Sequence, residues 1–430
     1  MKEKLFSDFL KEDNKSSWLH IEPKEENIYL KLDLEYENLK NFKVISFRNC
    51  NFKEIDLNPI YKTHHNTSIH FDECIVNGQV DISFKHIKRL SINNCSFINQ
   101  NANIYINGKI DEIQIINDQQ KEYSSISFSK LTSSFVEIKN IISTGSLQFL
   151  NFEKEEPNER DSEEEFRSYI NQRLIIKNCE FNNINFDDLT LNGYGIIQNL
   201  RCKTESFIQY NDFNNKLNIN SCNFSSIIFI DTIFNNITSI QNTIVNTIKL
   251  DKVQFNDLTY FDDFEILDYK NCDRKTIRTI KQELQKTENR IDYDTFRSYE
   301  LELYKKELKQ TEKWWHFKDL FVLTLNSLFS KHGISWRRAI GMTVLFSLGF
   351  YTVLYIIKNL HNDFNITLNG INHFTSGYFK FFLITNFYDP LSENREYLKY
   401  FGEWLPFIFG KIVIGYGLYE TVQSFRKYKK

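Results

Sequence analysis

Glycine and proline are scarce in this chain, 14 and 5 among 430 residues. So few turn-formers argue against a disordered chain and against an enzyme built largely of loops. Charge of one sign is also missing: 53 Lys and Arg stand against 56 Asp and Glu, a net charge of −3. No global excess points to nucleic acid or to an acidic ligand, and nucleic acid is not expected as a partner. The opening MKEKLFSDFLKEDNKSS has no apolar core of the kind a secretion signal carries, so the N-terminal part is expected in the cytosol with reduced thiols. The seven cysteines are odd in number and form neither a CxxC pair nor a Cys/His cluster, which speaks against a disulfide framework and a zinc site.

What is abundant is aromatic, with 39 Phe and 22 Tyr, and much of it keeps a five-residue beat. In LIIKNCEFNNINFDDLTL (174–191), Leu174, Cys179, Ile184 and Leu189 fall five apart, each followed two positions later by Ile176, Phe181, Phe186 and Leu191. The series returns as Leu217/Ile219, Cys222/Phe224, Ile227/Phe229 and Thr232/Phe234. After a one-residue slip it runs on as Thr238/Ile240, Thr243/Val245, Ile248/Leu250, Val253/Phe255 and Leu258/Tyr260. Shorter runs begin at Ile45, Ile69 and Leu90. Two inward side chains around one outward residue describe a very short strand, and the two polar residues after them a corner. A chain of edges and corners winds into a coil whose turns stack as parallel sheets, because one turn alone cannot bury its inward residues.

CEFNN, CNFSS, TIFNN and VQFND resemble the pentapeptide-repeat family, whose consensus is a small residue, a polar one, Leu or Phe, then two variable ones. The resemblance covers residues 40–262 and implies a right-handed, four-sided parallel β-helix with four pentapeptides per coil. Residues 1–39 are expected to cap its N-terminal end. Cys50, Cys74, Cys95, Cys179 and Cys222 take the small inward slot and are expected to be buried hydrophobes rather than redox or metal groups; Cys202 and Cys272 lie outside the pattern. The acid-rich stretch around EKEEPNERDSEEEFR (153–170 as a loop) reads as an inserted inter-coil loop, with a partner-docking finger as the alternative.

After Tyr260 the spacing turns helical. Ile277, Ile280 and Leu284, then Phe296, Tyr299 and Leu303, predict two amphipathic helices in a cap or linker over 263–313. WWHFKDLFVLTLNSLF predicts an interfacial helix within 314–332, anchored by Trp314 and Trp315. AIGMTVLFSLGFYTVLYII (339–357) carries no charge across nineteen residues, nearly enough at about 1.5 Å per residue to cross about 30 Å of hydrocarbon. WLPFIFGKIVIGYGLYETVQSF (404–425) is a second span, apolar except for Lys411 and Glu420, the latter near enough to its end to reach the interface. Trp336, Arg337, Arg338 and Trp404 are the expected membrane anchors. Arg337, Arg338 and the closing RKYKK place both chain-proximal ends in the cytosol by the positive-inside rule. Residues 333–430 thus form a transmembrane hairpin, and the expected location is a bacterial inner membrane with the β-helix and C-terminus cytosolic.

Between the spans, FTSGYFKFFLITNFYDP (374–390) sits where two-helix cation channels carry a re-entrant pore loop, and the layout is similar to theirs. TNFYDP occupies the place of the potassium filter Thr-Val-Gly-Tyr-Gly-Asp. Thr385, Tyr388 and Asp389 match by position, Asn386 does not, and both glycines are missing, so carbonyls cannot line up as they do in that filter. An ordinary extracytoplasmic amphipathic segment is the other reading. Lys411 on the second span would oppose cation passage unless it faced away, and Gly410, Gly415 and Gly417 offer close helix approach in a homo-oligomer. Residues 273–430 as a whole look like a module of bacterial membrane proteins with this solenoid-plus-hairpin layout.

No GxSxG, phosphate loop or dinucleotide fingerprint is present, the outward positions concentrate no acid/base set, and the His pair of KTHHNT (62–67) reads as solvated loop. No catalytic residue, cofactor or metal is expected. Two functions remain. The first is a membrane-anchored scaffold whose β-helix binds a cytosolic protein. The second is an oligomeric, channel-like or membrane-permeabilising effector of bacterial stress or phage defence, gated by the β-helix, with Thr385, Asn386, Tyr388, Asp389 and Lys411 as its pore residues.

Overall fold

The computed structural model describes residues 2–5, 18–22, 28–31, 42–57, 67–97, 103–118, 122–123, 125–150, 167–310, 317–359, 368–392 and 395–426. They fall into two compact units, Met1–Glu288 and Asn289–Lys430.

The first unit is a parallel β-solenoid of about nine turns. Its inward residues stack in register. Leu19, Ile45, Ile69, Leu90, Ile113, Val136 and Leu174 form one column, and Ile21, Phe47, Phe71, Ile92, Ile115, Ile138 and Ile176 run beside it. All are buried. Phenylalanines stack from turn to turn, Phe213 on Phe234 and Phe234 on Phe255, each at 5.0 Å between ring centres. Such offset stacking adds about 0.5–1.5 kcal/mol per pair beyond area burial.

The corners explain the recurring Asn-Cys pair. Asn49, Asn94 and Asn178 have φ of 51°, 51° and 54°, a left-handed conformation that asparagine tolerates better than most residues. The next residue then turns inward, and its side chain donates to a carbonyl one turn earlier. Cys50 Sγ donates to Ile21 O at 3.4 Å, Cys74 to Phe47 O at 3.4 Å and Cys222 to Ile197 O at 3.6 Å. Thr232 Oγ1 does the same to Ile208 O at 3.0 Å. Where the slot holds Cys or Thr, the short side chain also supplies a donor; Ile141, Leu189 and Leu200 fill it after equivalent corners as plain hydrophobes. Cys202 also lies in the interior, on the long strand Tyr194–Gln209.

On the outer surface, asparagines bond to asparagines of the neighbouring turn: Asn235 Nδ2 donates to Asn214 Oδ1 at 2.7 Å and Asn256 Nδ2 to Asn235 Oδ1 at 2.6 Å, each 21 residues apart. Across the acidic insertion the step is 38 residues, from Asn178 to Asn140, and the bond persists at 3.1 Å. The insertion leaves the stack in register; its own residues 151–166, like His64 and His65, lie outside the described residues.

Two expected boundaries move. Trp18–Ile21 already pairs with Val44–Arg48, so the solenoid begins within the stretch assigned to an N-terminal cap. At the last turn Thr259, not Leu258, continues the column from Thr238; Leu258 is exposed and Phe261 buried.

Helix α1 (Arg274–Lys286) caps this unit. Asp273 accepts from Thr276 N at 2.6 Å as its N-cap, and Ile277, Ile280 and Leu284 are fully buried. The first residues of strand Ile244–Asp251 pair with Glu265–Ile266, but its second half has no further strand to receive its N–H groups. Cys272 Sγ accepts from Ile248 N at 3.4 Å and Thr276 Oγ1 from Leu250 N at 2.8 Å, which closes the edge. The second unit holds α2 (Arg290–Gln310), α3 (Phe317–Ser330), α4 (Trp336–Asn359), α5 (Leu368–Phe382) and α6 (Phe401–Arg426). The cap-or-linker region of the sequence thus divides, α1 with the solenoid and α2 with the later helices.

Candidate functional site in the helical hairpin

Two helices, α4 with 24 residues and α6 with 26, are long and apolar enough to cross a membrane. Much of their apolar surface faces outward: Val344, Leu345, Ile412, Leu418 and Val422 are exposed. They pack on each other through small residues. At Gly417 a side chain would collide with Thr343, and at Gly410 with the Phe381 ring. These glycines serve contacts inside the chain rather than the inter-subunit approach expected of them; Gly415 faces Ile384.

Between the two lies α5. Tyr351 Oη donates to Phe374 O at 2.8 Å, and Tyr378 Oη reaches Ser347 Oγ at 2.9 Å and Val344 O at 3.2 Å. Phe381 packs on Tyr351 and Phe407, with ring centres 5.6 and 5.7 Å away. Following α5 from Phe374 to Phe381 therefore means moving along α4 from Tyr355 toward Val344. The chain then returns, because Asp389 forms an ion pair with Lys358 in the last turn of α4. The segment thus doubles back beside α4, with Gly377 and Phe381 buried against the helix pair and Ile371 and Phe379 exposed on its other face.

Lys411, 8% exposed, sits where this segment turns. Its Nζ donates to Phe381 O at 2.7 Å and Leu383 O at 2.6 Å, and lies 5.3 and 5.1 Å from the Phe381 and Phe407 ring centres. An ammonium on the last carbonyls of α5 meets the negative end of the helix dipole, about 0.3–1 kcal/mol at an exposed site and up to about 2 when partly buried. The lysine faces this protomer's own backbone.

The filter-like residues do not line up carbonyls. Asn386 folds the loop back, its Nδ2 donating to Lys380 O at 3.0 Å and its Oδ1 accepting from Tyr388 N at 3.2 Å. Asp389 is buried, and its backbone N–H donates to Glu396 O at 2.8 Å. Thr385 is exposed, and Tyr388 packs on Tyr397 at 5.2 Å.

Of the anchors, Trp336 stacks on Phe425 at 5.3 Å with the Arg337 guanidinium 5.4 Å from its ring centre, and Trp404 Nε1 donates to Leu398 O at 3.1 Å. Arg338 turns inward instead, its Nε donating to Leu328 O at 2.9 Å at the C-terminus of α3. Trp314 and Trp315 lie outside the described residues. Helix α3 buries Leu323 and Phe329 and exposes Phe317, Phe321 and Val322. Glu420, expected at the interface, is 2% exposed and accepts from Ser330 Oγ at 2.5 Å. The apolar surround makes an unpaired carboxylate costly there, and the serine hydroxyl meets it.

The solenoid carries a second feature that the five-residue beat hides. Outward residues also stack by turn: Ser68, Arg89, Glu112, Phe135, Arg173 and Tyr194 are register partners in that order. Arg89 pairs with Glu112, and Arg173 lies 4.5 Å over the Tyr194 ring and 5.9 Å from Phe135. Arg89, Glu112, Phe135, Arg173 and Tyr194 line a groove of about 740 Å3, while Ser68 is buried. The column is visible in the sequence only once the turn length is known, because its members are 21 to 38 residues apart. No group of three or more metal-ligating side chains occurs among the described residues.

No family model, curated protein or solved structure matches this chain.

Proposed function

We propose that the protein is a non-enzymatic scaffold, held at a bacterial inner membrane by the α4–α6 hairpin, whose solenoid recognises a cytosolic protein. Pentapeptide-repeat coils suit that role because their backbone is fixed by stacked parallel strands, so a partner meets a preformed surface and little ordering entropy opposes binding. The observation that carries the reading is the ladder from Arg89 to Tyr194, where guanidinium, carboxylate and aromatic groups line one groove on a rigid face. Its Arg and Tyr content is typical of residues that dominate protein interfaces. The outward apolar faces of α4 and α6 support the membrane half of the proposal.

The test separates the two halves. The full chain should stay with membranes through an alkaline carbonate wash, and a chain ending at Glu288 should appear in the supernatant. Both should retain the same cytosolic protein, and Arg173→Ala should release it. A full chain that washes off removes the anchor; a partner indifferent to Arg173→Ala removes the groove.

The second reading, a channel-like or permeabilising oligomer, draws support from one observation: α5 and its return loop double back beside α4 and end on Lys358 and Lys411, as a pore helix and filter could. The bonds of Lys411 count against cation passage along this path, because they occupy carbonyls that a cation would use.

A further inference from the structure

One end of the hairpin gathers exposed cations around an aromatic pair, while the other mixes ion pairs with exposed cations. At the end holding the α4 C-terminus, Lys358 pairs with Asp389, and Lys399 lies 3.9 Å from Glu396. Lys380 Nζ reaches only a carbonyl, Ser392 O at 3.5 Å, and Arg395 is exposed, but among the described residues no aromatic stack groups these cations. At the opposite end, Lys331, Arg337 and Arg426 are all exposed. Among the described residues none of them has a carboxylate within ion-pair distance. Two acids of this end are turned inside: Glu420 accepts from Ser330, and Glu302 is bound by His332 Nε2 at 3.2 Å and Ser327 Oγ at 3.3 Å.

Backbone geometry enforces the separation. Lys331, His332 and Gly333 have φ of 51°, 59° and 88°, three successive left-handed residues of a kind that persists only when surrounding contacts hold it. The turn buries the His332 ring, whose side chain is 2% exposed, and leaves Lys331 outside. Beside it the Trp336–Phe425 stack brings the start of α4 against the end of α6, so Arg337 and Arg426 flank one aromatic pair.

We propose that this end is a binding surface for anionic phospholipid, with Lys331, Arg337 and Arg426 taking headgroup phosphates and Trp336 and Phe425 lying at the headgroup–acyl boundary. Unpaired guanidinium groups grip phosphate oxygens in pairs of hydrogen bonds, and an indole beside them suits the interfacial layer. The inference rests on the membrane reading above and adds the lipid class and the leaflet: the basic end faces the anionic cytoplasmic side.

The test uses the full chain in mild detergent, incubated with equimolar phosphatidylglycerol and phosphatidylcholine, with retained lipid read by native mass spectrometry. Each cation near an anionic surface contributes roughly a fivefold factor, so phosphatidylglycerol should be enriched at least about tenfold. Lys331→Gln/Arg337→Gln/Arg426→Gln should bring the ratio near one, and Lys380→Gln/Lys399→Gln at the other end should leave it unchanged. Should the triple variant fail to fold, Arg337→Gln alone should lower the ratio about fivefold on the same reasoning. Equal retention of both lipids, a preference that survives the basic-end substitutions, or one lost equally in the far-end variant would overturn the proposal. A carbonate wash that strips the chain from membranes counts against the anchor instead, so the two failures stay distinct.

Discussion

At Cys179 the slot that the sequence marks as small and apolar turns out to have a hydrogen-bonding duty. The thiol donates to Lys177 O at 3.1 Å and faces Ile138 O one turn earlier, and Thr232 serves the equivalent corner with a hydroxyl. Asparagine before Cys50, Cys95 and Cys179 takes the left-handed corner conformation, which Glu73 and Ser221 take before Cys74 and Cys222. All seven cysteines are free and buried. Burial pushes Cys179 and Cys202 up to about 12 and Cys222 up to about 11, from an ordinary 9.0. Since the folded state holds these protons more tightly, the associated stability is full below pH 9 and is lost as pH climbs through 11 to 12. The native protein at pH 8 should therefore leave a chromogenic disulfide reagent unreacted, while unfolded protein should titrate seven thiols. Prompt labelling of Cys179 in folded protein would contradict the corner geometry.

Among elements, the α3–α4 turn is the one whose structure most depends on charge. His332 is buried against α2 and α6, facing Glu302 and Lys305 on the first and Glu420 on the second. Burial lowers its pKa below 6.5, with the two carboxylates acting in the opposite direction and Lys305 in the same one. Glu302 is also shifted down: burial works against its charge, and the hydrogen bond from His332 and the Lys305 charge outweigh it. The folded state binds fewer protons than the unfolded chain at both groups. The stability they supply is present above pH 6.5 and is lost as pH falls below it, with Glu302 extending the loss below 4.5. Thermal unfolding of the full chain, followed from pH 7.5 to 5, should fall with a slope of up to about 1.4 kcal/mol per pH unit from one proton. His332→Gln should flatten that slope. A variant with the parent's pH dependence would show that the histidine does not titrate on unfolding. The spacing of apolar residues announced every helix of this unit in outline, but not this turn. A Lys-His-Gly tripeptide gives no sign of which side chain is buried.

For the whole molecule, the question is whether the hairpin only holds the solenoid or also conducts. α5 doubles back beside α4, and its tip is held by local bonds, Asn386 Nδ2 to Lys380 O and Asp389 N to Glu396 O. Lys411 could be read from the sequence only as a charge inside an apolar run; its partners, Phe381 O and Leu383 O, lie about thirty residues away and depend on how α5 folds back. If the pore reading holds, purified oligomers in planar bilayers should conduct, and Lys411→Ala, which frees those carbonyls, should raise cation conductance. Asp389→Ala, which unpairs Lys358, should change it too. A silent bilayer with a protein that stays monomeric in detergent would leave the scaffold reading alone.

The solenoid was legible because its information is local. Each five-residue edge and corner specifies its own inward pair, and copies of one local rule must stack to bury them. Helix length and apolar character were local as well, so two helices long and apolar enough to cross a membrane could be counted from the chain. What only tertiary structure decided is whatever joins residues a turn or a helix apart: the Arg89–Tyr194 column, the thiol-to-carbonyl bonds, the inward Arg338 and Glu420, and the three cations left unpaired at one end. Those depend on the number of residues per turn and on which helix packs where, distances that no short window of sequence contains.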